Sequence, residues 1–494
     1  MEMQWVYIST ATFFTCYLFL NIFVRKFNGW YYHLKFRNKE YPLPHGDMGW
    51  PFIGNLLTFY KDFSSGQPDS FITNLNLKYG KKGIYKTHLF GNPSIIICEP
   101  KMCKKVLTDD VNFKFGYPKS FKVLTKTKPN DVSMSEHKHL RRLIFGPIIG
   151  HKEMAMYLEH IEDIVINSLE ELSSMNHPIE LLKEMKNVSF KTIVHVFLGS
   201  SNQDIIKILG SLSNNDMFNG LFSIAINAPG FAFNKALKSR KKIIKIVQPL
   251  VNERRLMIKN GKQVGEKKDF IDSLLEVLKD ENGKKIEDGE ISDLLIAFLI
   301  AGHEPTATAL MWSIVYLTQH PHMLKKAKEE QEEILRKRPA SQKQLSFIEV
   351  KQMVYLSRVI NEMLRCANVT FSTFREAASD VIINGYLIPK GWKVLVWLRA
   401  IHMDSEYYPN AEEFNPSRWD DNAVSAGTFL PFGVGSMLCP AADLAKLEIS
   451  VFLHYFLLNY RLEQINPNCP ITCLPGPRPI DNCLAKVIKV SCAD

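Results

Sequence analysis

The chain has 494 residues, of which 46% are hydrophobic and 23% charged, a composition typical of a folded globular protein that excludes wholesale disorder. The formal net charge of +10 is mild for this length. It suits an acidic partner or an anionic membrane surface, and it is too diffuse to indicate binding of nucleic acid. Nine cysteines without regular spacing do not form a disulfide framework and indicate a reducing compartment.

The first predicted element is an uncharged run, Trp5–Val24, of about the ~20 residues that a helix needs to cross a bilayer. Arg25 and Lys26 follow it directly, whereas Glu2 is the one charged side chain before it. The positive-inside rule therefore predicts a membrane anchor over residues 1–26, with the rest of the chain in the cytosol. A cleaved secretory signal is the alternative, but its basic segment and small-residue cleavage site are missing.

Residues 27–55 are predicted to connect the anchor to the body of the protein. Basic residues are followed by the proline- and glycine-containing stretch 41–55, which cannot continue a helix. The segment is either a plain linker or a semi-rigid hinge that orients the body on the membrane. Residues 56–494 show no internal repeat and no second linker, so we expect them to form one large domain.

Two short β regions interrupt a largely helical pattern. Ile84–Cys98 is predicted to be a hairpin that turns at Gly91–Pro93, and Val381–Trp397 combines an Asn-Gly turn signal with a third strand. Helical periodicity covers most of the remainder and is clearest in four segments: Met154–Leu172, Lys238–Asn260, Phe270–Lys279 and Glu290–His320. The expected fold class is therefore mostly α with a minor β-sheet region.

A cysteine in a glycine-containing loop gives the first indication of chemistry. In the sequence FGVGSMLCP, Gly433 and Gly435 allow a tight turn, and Cys439 precedes Pro440, the predicted first residue of a helix. The N-terminus of a helix favours a thiolate, and thiolates act as nucleophiles or metal ligands. A buried, inert cysteine is the alternative when this loop is considered alone.

Three further motifs accompany the loop in a defined order. The long helical run contains AGHEPTAT, Ala301–Thr308, which places a glycine, an acid and hydroxyls in an otherwise apolar stretch. An ExxR pair follows, Glu362 and Arg365, on one helical face, and then Arg418 in FNPSRW. Each motif alone is weak to moderate evidence, whereas the ordered set is specific.

In this order of motifs, the chain resembles the cytochrome P-450 family, the haem-thiolate monooxygenases, over essentially its whole length. The resemblance implies that family's fold, a single large haem domain behind a transmembrane anchor, and haem b (iron protoporphyrin IX) as the cofactor. Cys439 would be the axial thiolate ligand of the haem iron. Phe432 would pack beside its sulfur, and Gly435 would let the loop approach the porphyrin.

The resemblance also assigns charged side chains. Glu362, Arg365 and Arg418 match the buried ion-pair triad that braces the haem core of the family. Three further residues match positions that reach the haem propionates: Arg375, His137 and Arg141. A solvated surface arginine is the alternative for Arg141.

Glu304 fits the acid of the family's acid–alcohol pair, which relays protons during dioxygen activation. Three positions depart from the family pattern. Pro305 occupies the alcohol position, with the hydroxyl of Thr306 about 100° further around the helix. Met437 replaces an arginine that reaches a propionate, and Ala441 replaces a glycine. We expect looser haem binding and slower turnover that leaks peroxide; a catalytically impaired haem-binding relic is the alternative.

Within the family, the chain is most similar to the plant ent-kaurenoic-acid oxidase group, and in that group to the legume beta-amyrin 11-oxidase branch. The segments that carry this likeness are 90–100, 106–120, 402–421 and 427–433. The branch implies oxidation of a plant triterpene, beta-amyrin, at carbon 11 to the alcohol and then the ketone. An ent-kaurenoic-acid-type diterpenoid is the runner-up. The aromatic stretch Met217–Phe233 suits a large apolar substrate or, alternatively, a loop that dips into the membrane.

Neither a GxGxxG motif after a strand nor a GKS/T loop occurs in the sequence, which gives no indication of flavin or nicotinamide binding. The resemblance therefore implies that NADPH supplies electrons indirectly, through an NADPH–cytochrome reductase. Lys138, Arg142 and Lys446 are candidates for docking this acidic partner, with solvated charges as the alternative. Together these expectations describe a single-pass protein of the endoplasmic reticulum membrane that faces the cytosol, contacts lipid and takes a small apolar terpenoid.

Overall fold

The computed structural model describes residues 2–19, 24–125, 150–199, 203–212, 216–221, 223–260, 270–277, 288–420, 424–425, 427–474 and 476–490. The chain divides into two compact units, which we call the sheet unit and the helical unit. The sheet unit comprises Met1–Tyr117 and Ser372–Ile401, and the helical unit comprises Pro118–Phe371 and His402–Asp494.

Helices dominate both the length and the core of the chain, as the sequence predicts. The α-helices are α1 (Glu2–Leu18), α2 (Arg25–Phe36), α3 (Leu56–Ser64), α4 (Asp69–Tyr79), α5 (Pro100–Thr108), α6 (Lys119–Thr125), α7 (His151–Ser174), α8 (Leu181–Leu198), α9 (Gln203–Leu212), α10 (Phe218–Leu221), α11 (Ala232–Lys259), α12 (Phe270–Val277), α13 (Asp288–Gln319), α14 (Pro321–Lys337), α15 (Phe347–Gln352), α16 (Val354–Ala367), α17 (Leu398–His402) and α18 (Ala442–Asn459). Short 3₁₀ turns cover Pro416–Trp419 and Gly435–Met437.

The strands are short and confined to small sheets. They are β1 (Ile84–Leu89), β2 (Asn92–Ile97), β3 (Phe113–Phe115), β4 (Ile179–Glu180), β5 (Thr373–Ala377), β6 (Val381–Ile383), β7 (Tyr386–Ile388), β8 (Lys393–Val396), β9 (Tyr460–Gln464), β10 (Ile471–Thr472), β11 (Arg478–Pro479) and β12 (Leu484–Lys489). The predicted fold class, mostly α with a minor β region, is confirmed.

The sheet unit is built on one five-stranded sheet in the order β1-β2-β8-β5-β3. β1 and β2 form the predicted antiparallel hairpin, but its turn is Phe90–Gly91, because Pro93 already pairs with His88 inside β2. Both turn residues have positive φ, 51° and 75°. β6 and β7 form the second predicted hairpin, with Asn384 and Gly385 in the turn. The third predicted strand, β8, joins the larger sheet instead, where it runs parallel to β2.

The segment after the predicted anchor is attached to the sheet unit. Asn28 of α2 donates a hydrogen bond to the carbonyl of residue 48 at 2.9 Å. The rings of Tyr32 and Phe36 meet Trp392 edge-on, at centroid distances of 5.2 and 5.8 Å. The proline-containing stretch 41–55 continues the attachment, since its carbonyls accept hydrogen bonds from β1 and β7. The domain boundaries at residues 26 and 55 remain predictions.

The predicted membrane span coincides with α1 only in part, because residues 20–23 lie outside the described ranges. The aromatic side chains of α1 are exposed, Trp5 at 69% and Phe13 at 76%. Over the described ranges, Gly289–Gln319 is the one helix with the length and apolar composition of a membrane span, and 67% of its most apolar window is buried. That burial is typical of a core helix.

The helical unit is organised around α13, which packs against α8, α11, α16 and α18. The hydrophobic core of this unit draws its buried side chains mainly from these helices and α7. The predicted helices are confirmed with shifted ends. α7 extends beyond its predicted segment at both ends, α13 begins at Asp288 and ends one residue early at Gln319, and α11 begins six residues early at Ala232. α12 ends at Val277, after which residues 278–287 lie outside the described ranges.

Candidate active site

The loop before α18 holds Cys439 in a tight turn. The backbone N–H of Cys439 donates to the carbonyl of Phe432 at 2.7 Å. Gly433 and Gly435 have φ angles of 76° and 63°, in the left-handed region that favours glycine. A Cβ at Gly433 would also lie only 2.7 Å from the carbonyl oxygen of Met437. The two glycines are therefore required by the backbone that presents the cysteine.

The helix after the cysteine starts later than predicted. α18 begins at Ala442, and Pro440 lies in the turn before it. The prediction was wrong because Ala441, with φ −109° and ψ 24°, has left the helical region and acts as the N-cap. Cys439 consequently stands three residues ahead of the first helical residue, in the turn that leads into the helix.

Apolar side chains around Cys439 are incompletely covered by the polypeptide. Leu438 is 40% exposed, and Phe432, Val434 and Ala441 are half-buried, as is the cysteine. Across the described ranges, no group of three or more His, Cys, Asp or Glu side chains could hold a bare metal ion. A single thiol among uncovered apolar side chains fits the axial ligand of a haem, whose flat apolar face would cover them. The residues present therefore fit the group.

The cations expected at the haem propionates are placed only in part. His137 and Arg141 lie outside the described ranges. Arg375, in β5, is fully buried and donates to the carboxylate of Asp110 at 3.0 Å and to the carbonyl of Phe113 at 2.6 Å. Burial lowers the pKa of Arg375, and Asp110 opposes that shift. Since this arginine has a carboxylate partner within the sheet unit, its role toward haem stays a prediction.

The structure brings Glu362, Arg365 and Arg418 together in one buried cluster. Arg365 donates to both carboxylate oxygens of Glu362, at 2.9 and 2.8 Å, and Arg418 donates at 3.1 Å. The indole N–H of Trp419 and the backbone N–H of Asn415 each add a hydrogen bond of 3.0 Å. Burial alone would raise the pKa of Glu362, but these donors, foremost Arg365, hold it below its usual value. Glu362 is therefore fixed in its ionised form.

One face of α13 remains partly uncovered although the helix lies in the core. The exposed or half-buried positions are 290, 293, 294, 297, 298, 301, 302 and 305, and the positions between them are buried. Their spacing of three and four residues puts them on one side of the helix, which we call the open face. Ala297, Ala301 and Pro305 form a small, apolar strip along it. At its edge, Phe298 meets Phe197 of α8 at a centroid distance of 5.5 Å, and a Cβ at Gly302 would lie 3.0 Å from Ile193 of the same helix. Such a surface suits an apolar ligand.

The two predicted proton-relay side chains flank the open face. Glu304 is 4% exposed and accepts a hydrogen bond of 2.8 Å from the Nζ of Lys186, on α8. Burial raises the pKa of Glu304, and Lys186 opposes that shift. On the other side, the hydroxyl of Thr306 donates to the carbonyl of Gly302 at 2.8 Å. Pro305 lies between them on the open face, so the predicted alcohol position presents no hydroxyl there.

Sequence reasoning missed Lys186 and a neighbouring buried acid, Glu448 of α18. Burial raises the pKa of Glu448 to about 8, and the nearby hydroxyl of Ser189 opposes that shift. Burial lowers the pKa of His303 to about 4. Its Nδ1 lies 2.5 Å from the carbonyl of residue 299, and its ring meets Phe190 edge-on at 5.1 Å. At neutral pH, Glu448 and His303 are therefore both uncharged.

Of the three side chains predicted to dock the reductase, the structure describes one. Lys446, a candidate for reductase docking, is half-buried, with its Nζ 5.7 Å from the ring centroid of Phe432 and 3.3 Å from Asn361. Burial lowers the pKa of Lys446. Part of its side chain thus packs against the cysteine loop and is not a fully solvated charge. The other two docking candidates, Lys138 and Arg142, lie outside the described ranges.

The stretch predicted to face either the substrate or the membrane has two different halves. Met217 and Leu221 are buried in the core of the helical unit, at 0% and 3% exposure. Ile224 and Phe231 are exposed, at 61% and 46%. The first half is therefore part of the core, and the exposed second half suits the membrane interpretation.

Comparison with known proteins identifies the family. Residues 44–482 match the cytochrome P-450 family model. The chain is 72% identical over 495 residues to beta-amyrin 11-oxidase of Glycyrrhiza uralensis, covering 100% of both chains, and 47% identical over 470 residues to ent-kaurenoic acid oxidase 1 of Arabidopsis thaliana, covering 95% of both. The solved structure of retinoic-acid-bound cyanobacterial CYP120A1 matches with a TM-score of 0.80 and 25% identity, over 91% of this chain and 100% of that one. With its cysteine loop, its buried ExxR cluster and these matches, the chain belongs to the cytochrome P-450 family.

Proposed function

We propose that the chain is a membrane-bound haem-thiolate monooxygenase that oxidises beta-amyrin at carbon 11, first to the alcohol and then to the ketone. The observation that carries the proposal is a cysteine loop fitted to haem in the same unit as a core helix with a small, apolar open face. The 72% identity to a beta-amyrin 11-oxidase over the full length supports the choice of substrate.

Haem, when bound, supplies the dioxygen chemistry of the reaction. Cys439 would hold it, and Phe432 and Leu438 would pack against it. The open face of α13 orients an apolar ring system and excludes water from around it. Glu304 holds a proton beside the open face more readily than an exposed glutamate does, because burial raises its pKa, and Lys186 keeps that carboxyl in place. Glu304 is thus better suited to general acid chemistry than an exposed glutamate.

The proposal extends to the surroundings of the enzyme. Electrons come from NADPH through an NADPH–cytochrome reductase, and α1 is part of a single anchor in the endoplasmic reticulum membrane. The exposed apolar residues Ile224 and Phe231 suit contact with lipid at a second place in the chain.

Two alternatives follow from particular observations. The 47% identity to an ent-kaurenoic acid oxidase favours a diterpenoid acid as the second candidate substrate. Pro305 and Met437 favour a relic that binds haem without turnover. Against the relic, α13 remains helical through Pro305, and the Glu362 cluster is complete.

The first test is the carbon monoxide difference spectrum of dithionite-reduced microsomes that contain the full-length chain, with Cys439→Ser as the control. A band of the thiolate-ligated type in the wild type alone supports the haem assignment, and its absence would contradict that assignment. A band without turnover of either terpenoid favours the relic. Beta-amyrin and ent-kaurenoic acid are then supplied separately with reductase and NADPH. Products oxidised at carbon 11 support the proposal, and turnover of the acid alone favours the runner-up.

A further inference from the structure

A buried arginine adjoins the open face of α13 at its acidic end. Asp293 lies on that face two turns before Ala301, roughly 12 Å along the helix at 1.5 Å per residue. Its carboxylate is paired with the guanidinium of Arg240, on α11, and the two side chains are 17% and 6% exposed. The Nε of Arg240 also donates to the carbonyl of Leu124, in α6, at 2.7 Å. Arg240 thereby joins three elements beside the apolar surface.

Two of the cations that adjoin the open face in the described part of the chain are paired with buried carboxylates. Arg240 is paired with Asp293, and Lys186 is paired with Glu304 at 2.8 Å. Glu290 lies at the exposed start of the same face. Arg478 also acts on Glu304 at the far end of the face, where it lowers the pKa of that acid. The Asp293 end, where Arg240 is paired, has no net charge to offer a ligand. An apolar ligand without charge meets no penalty there.

We propose that Asp293 is a specificity-determining residue: by holding Arg240, it keeps its end of the open face neutral and excludes ring systems that place a carboxylate there. The inference rests on the proposed function and deepens it, because it selects a neutral triterpene over a terpenoid acid. A ligand carboxylate brought to this face loses its water and finds the nearest cation already occupied. It also meets the negative charge of Asp293 at low effective dielectric.

The same geometry gives the opposite preference when Asp293 loses its charge. In Asp293→Asn, Arg240 stays buried beside the apolar face without its counter-ion, which is costly. A ligand carboxylate at that end of the site then supplies the missing partner through a charge-assisted hydrogen bond. The substitution should therefore admit acids and weaken the preference for neutral ligands.

The experiment compares two ligands with one skeleton: a pentacyclic triterpene alcohol, and the same alcohol with one methyl oxidised to a carboxylate. Binding to the full-length haem protein in lipid nanodiscs is measured by equilibrium dialysis with labelled ligand and by the haem absorbance shift. The wild type should bind the neutral ligand at least tenfold more tightly. Asp293→Asn should reduce that ratio at least tenfold. Asp272→Asn, which removes a carboxylate paired with another arginine of α11, Arg254, should leave the ratio unchanged.

Two further variants keep the test decisive if Asp293→Asn folds poorly. Asp293→Ser removes the same charge with a smaller side chain and should give the same reduced ratio, which thermal stabilisation by each ligand also reports. Adding Arg240→Met to Asp293→Asn should restore the ratio of the wild type, because the cation is gone.

The contrary outcomes are separable. An unchanged ratio in both Asp293 variants, with the neutral ligand still bound, would overturn the inference and leave the proposed function intact. Acid binding that persists in the double variant would also overturn it, since Arg240 would not be the partner. A wild type that binds neither triterpene would mean that the proposed function itself fails, and the inference with it.

Discussion

Glu362 and Glu448 are both buried carboxyl groups of the helical unit, at 0% and 1% exposure, yet their ionisation is opposite. Glu362 accepts five hydrogen bonds, among them three from arginines, and its pKa is lowered. Glu448 has Ser189 as its opposing neighbour, and burial raises its pKa to about 8. Glu304, with one lysine donor and a raised pKa, lies between these cases. The donors around a buried carboxyl, and not its burial alone, decide whether it serves as a fixed charge or holds a proton.

The largest difference should appear when each acid is replaced by its uncharged isostere. Glu362→Gln leaves Arg365 and Arg418 without their counter-charge and should cost about 3–5 kcal/mol of the free energy of unfolding. Glu448→Gln mimics the protonated acid and should change it by less than about 1 kcal/mol at pH 7. Denaturant unfolding of both variants, followed by circular dichroism, checks this. Equal losses of the free energy of unfolding in the two variants would show that Glu362 and Glu448 do not differ in ionisation.

The pH dependence of stability sharpens the same contrast. The folded-state pKa of Glu448, about 8, lies above its unfolded value, so its stabilisation is lost as the pH rises toward 8. His303 and His454, whose pKa values are lowered to about 4, act in the opposite direction and only below about pH 6.5. Between about pH 6.5 and 8, the free energy of unfolding should therefore fall in the wild type and stay nearly constant in Glu448→Gln. A fall that persists in the variant would assign the effect to another group.

Removing the single donor of Glu304 should have a smaller effect on stability. Lys186→Met should cost about 1 kcal/mol at pH 7, because the buried carboxyl can neutralise itself by taking up a proton. Since its folded-state pKa then rises further, stability should fall more steeply with increasing pH. Lys191→Met is the matched control on α8, as Lys191 pairs with the largely exposed Glu171 at 3.4 Å. Indistinguishable unfolding curves for the two variants would argue against a buried Lys186–Glu304 pair.

The smallest effect on stability is expected at Pro305, where the change is in chemistry. Pro305→Ser places a hydroxyl on the open face beside Glu304 and should raise the product formed per NADPH while lowering the peroxide released. Ala307→Ser, which adds a hydroxyl to the same helix at a buried position off the open face, should change neither quantity. Equal coupling in the wild type and Pro305→Ser would contradict a hydroxyl deficit at this position.

What could be predicted from the sequence depends on how local the determining interaction is. The turn at Asn384 and Gly385 and the pairing of Glu362 with Arg365 rest on residues one or three positions apart. The start of α18 was missed because the backbone of Ala441, and not the proline before it, decides where that helix begins. Domain boundaries and the haem contacts of His137 and Arg141 remain predictions.

The contacts between distant helices could not be predicted from local pattern. Lys186 and Glu304 are 118 residues apart, and Arg240 and Asp293 are 53 apart, so their pairing depends on how α8 and α11 pack against α13. A weak signal was nevertheless present. Lys186 shares a helical face with two buried apolar residues, Phe190 and Ile193, and Glu448 interrupts an apolar run.

The attachment of α2 decides where a shortened, detergent-free form of the protein should begin. Asn28, Tyr32 and Phe36 hold this helix against the sheet unit, so a cut within the proline-containing stretch would strip a packed helix from Trp392. A cut just before Arg25 would remove the apolar α1 and keep that packing. The outer side of α2 would remain an exposed hydrophobic surface, with Trp30 at 49% and Leu34 at 67% exposure. Solubilising substitutions therefore belong at these positions.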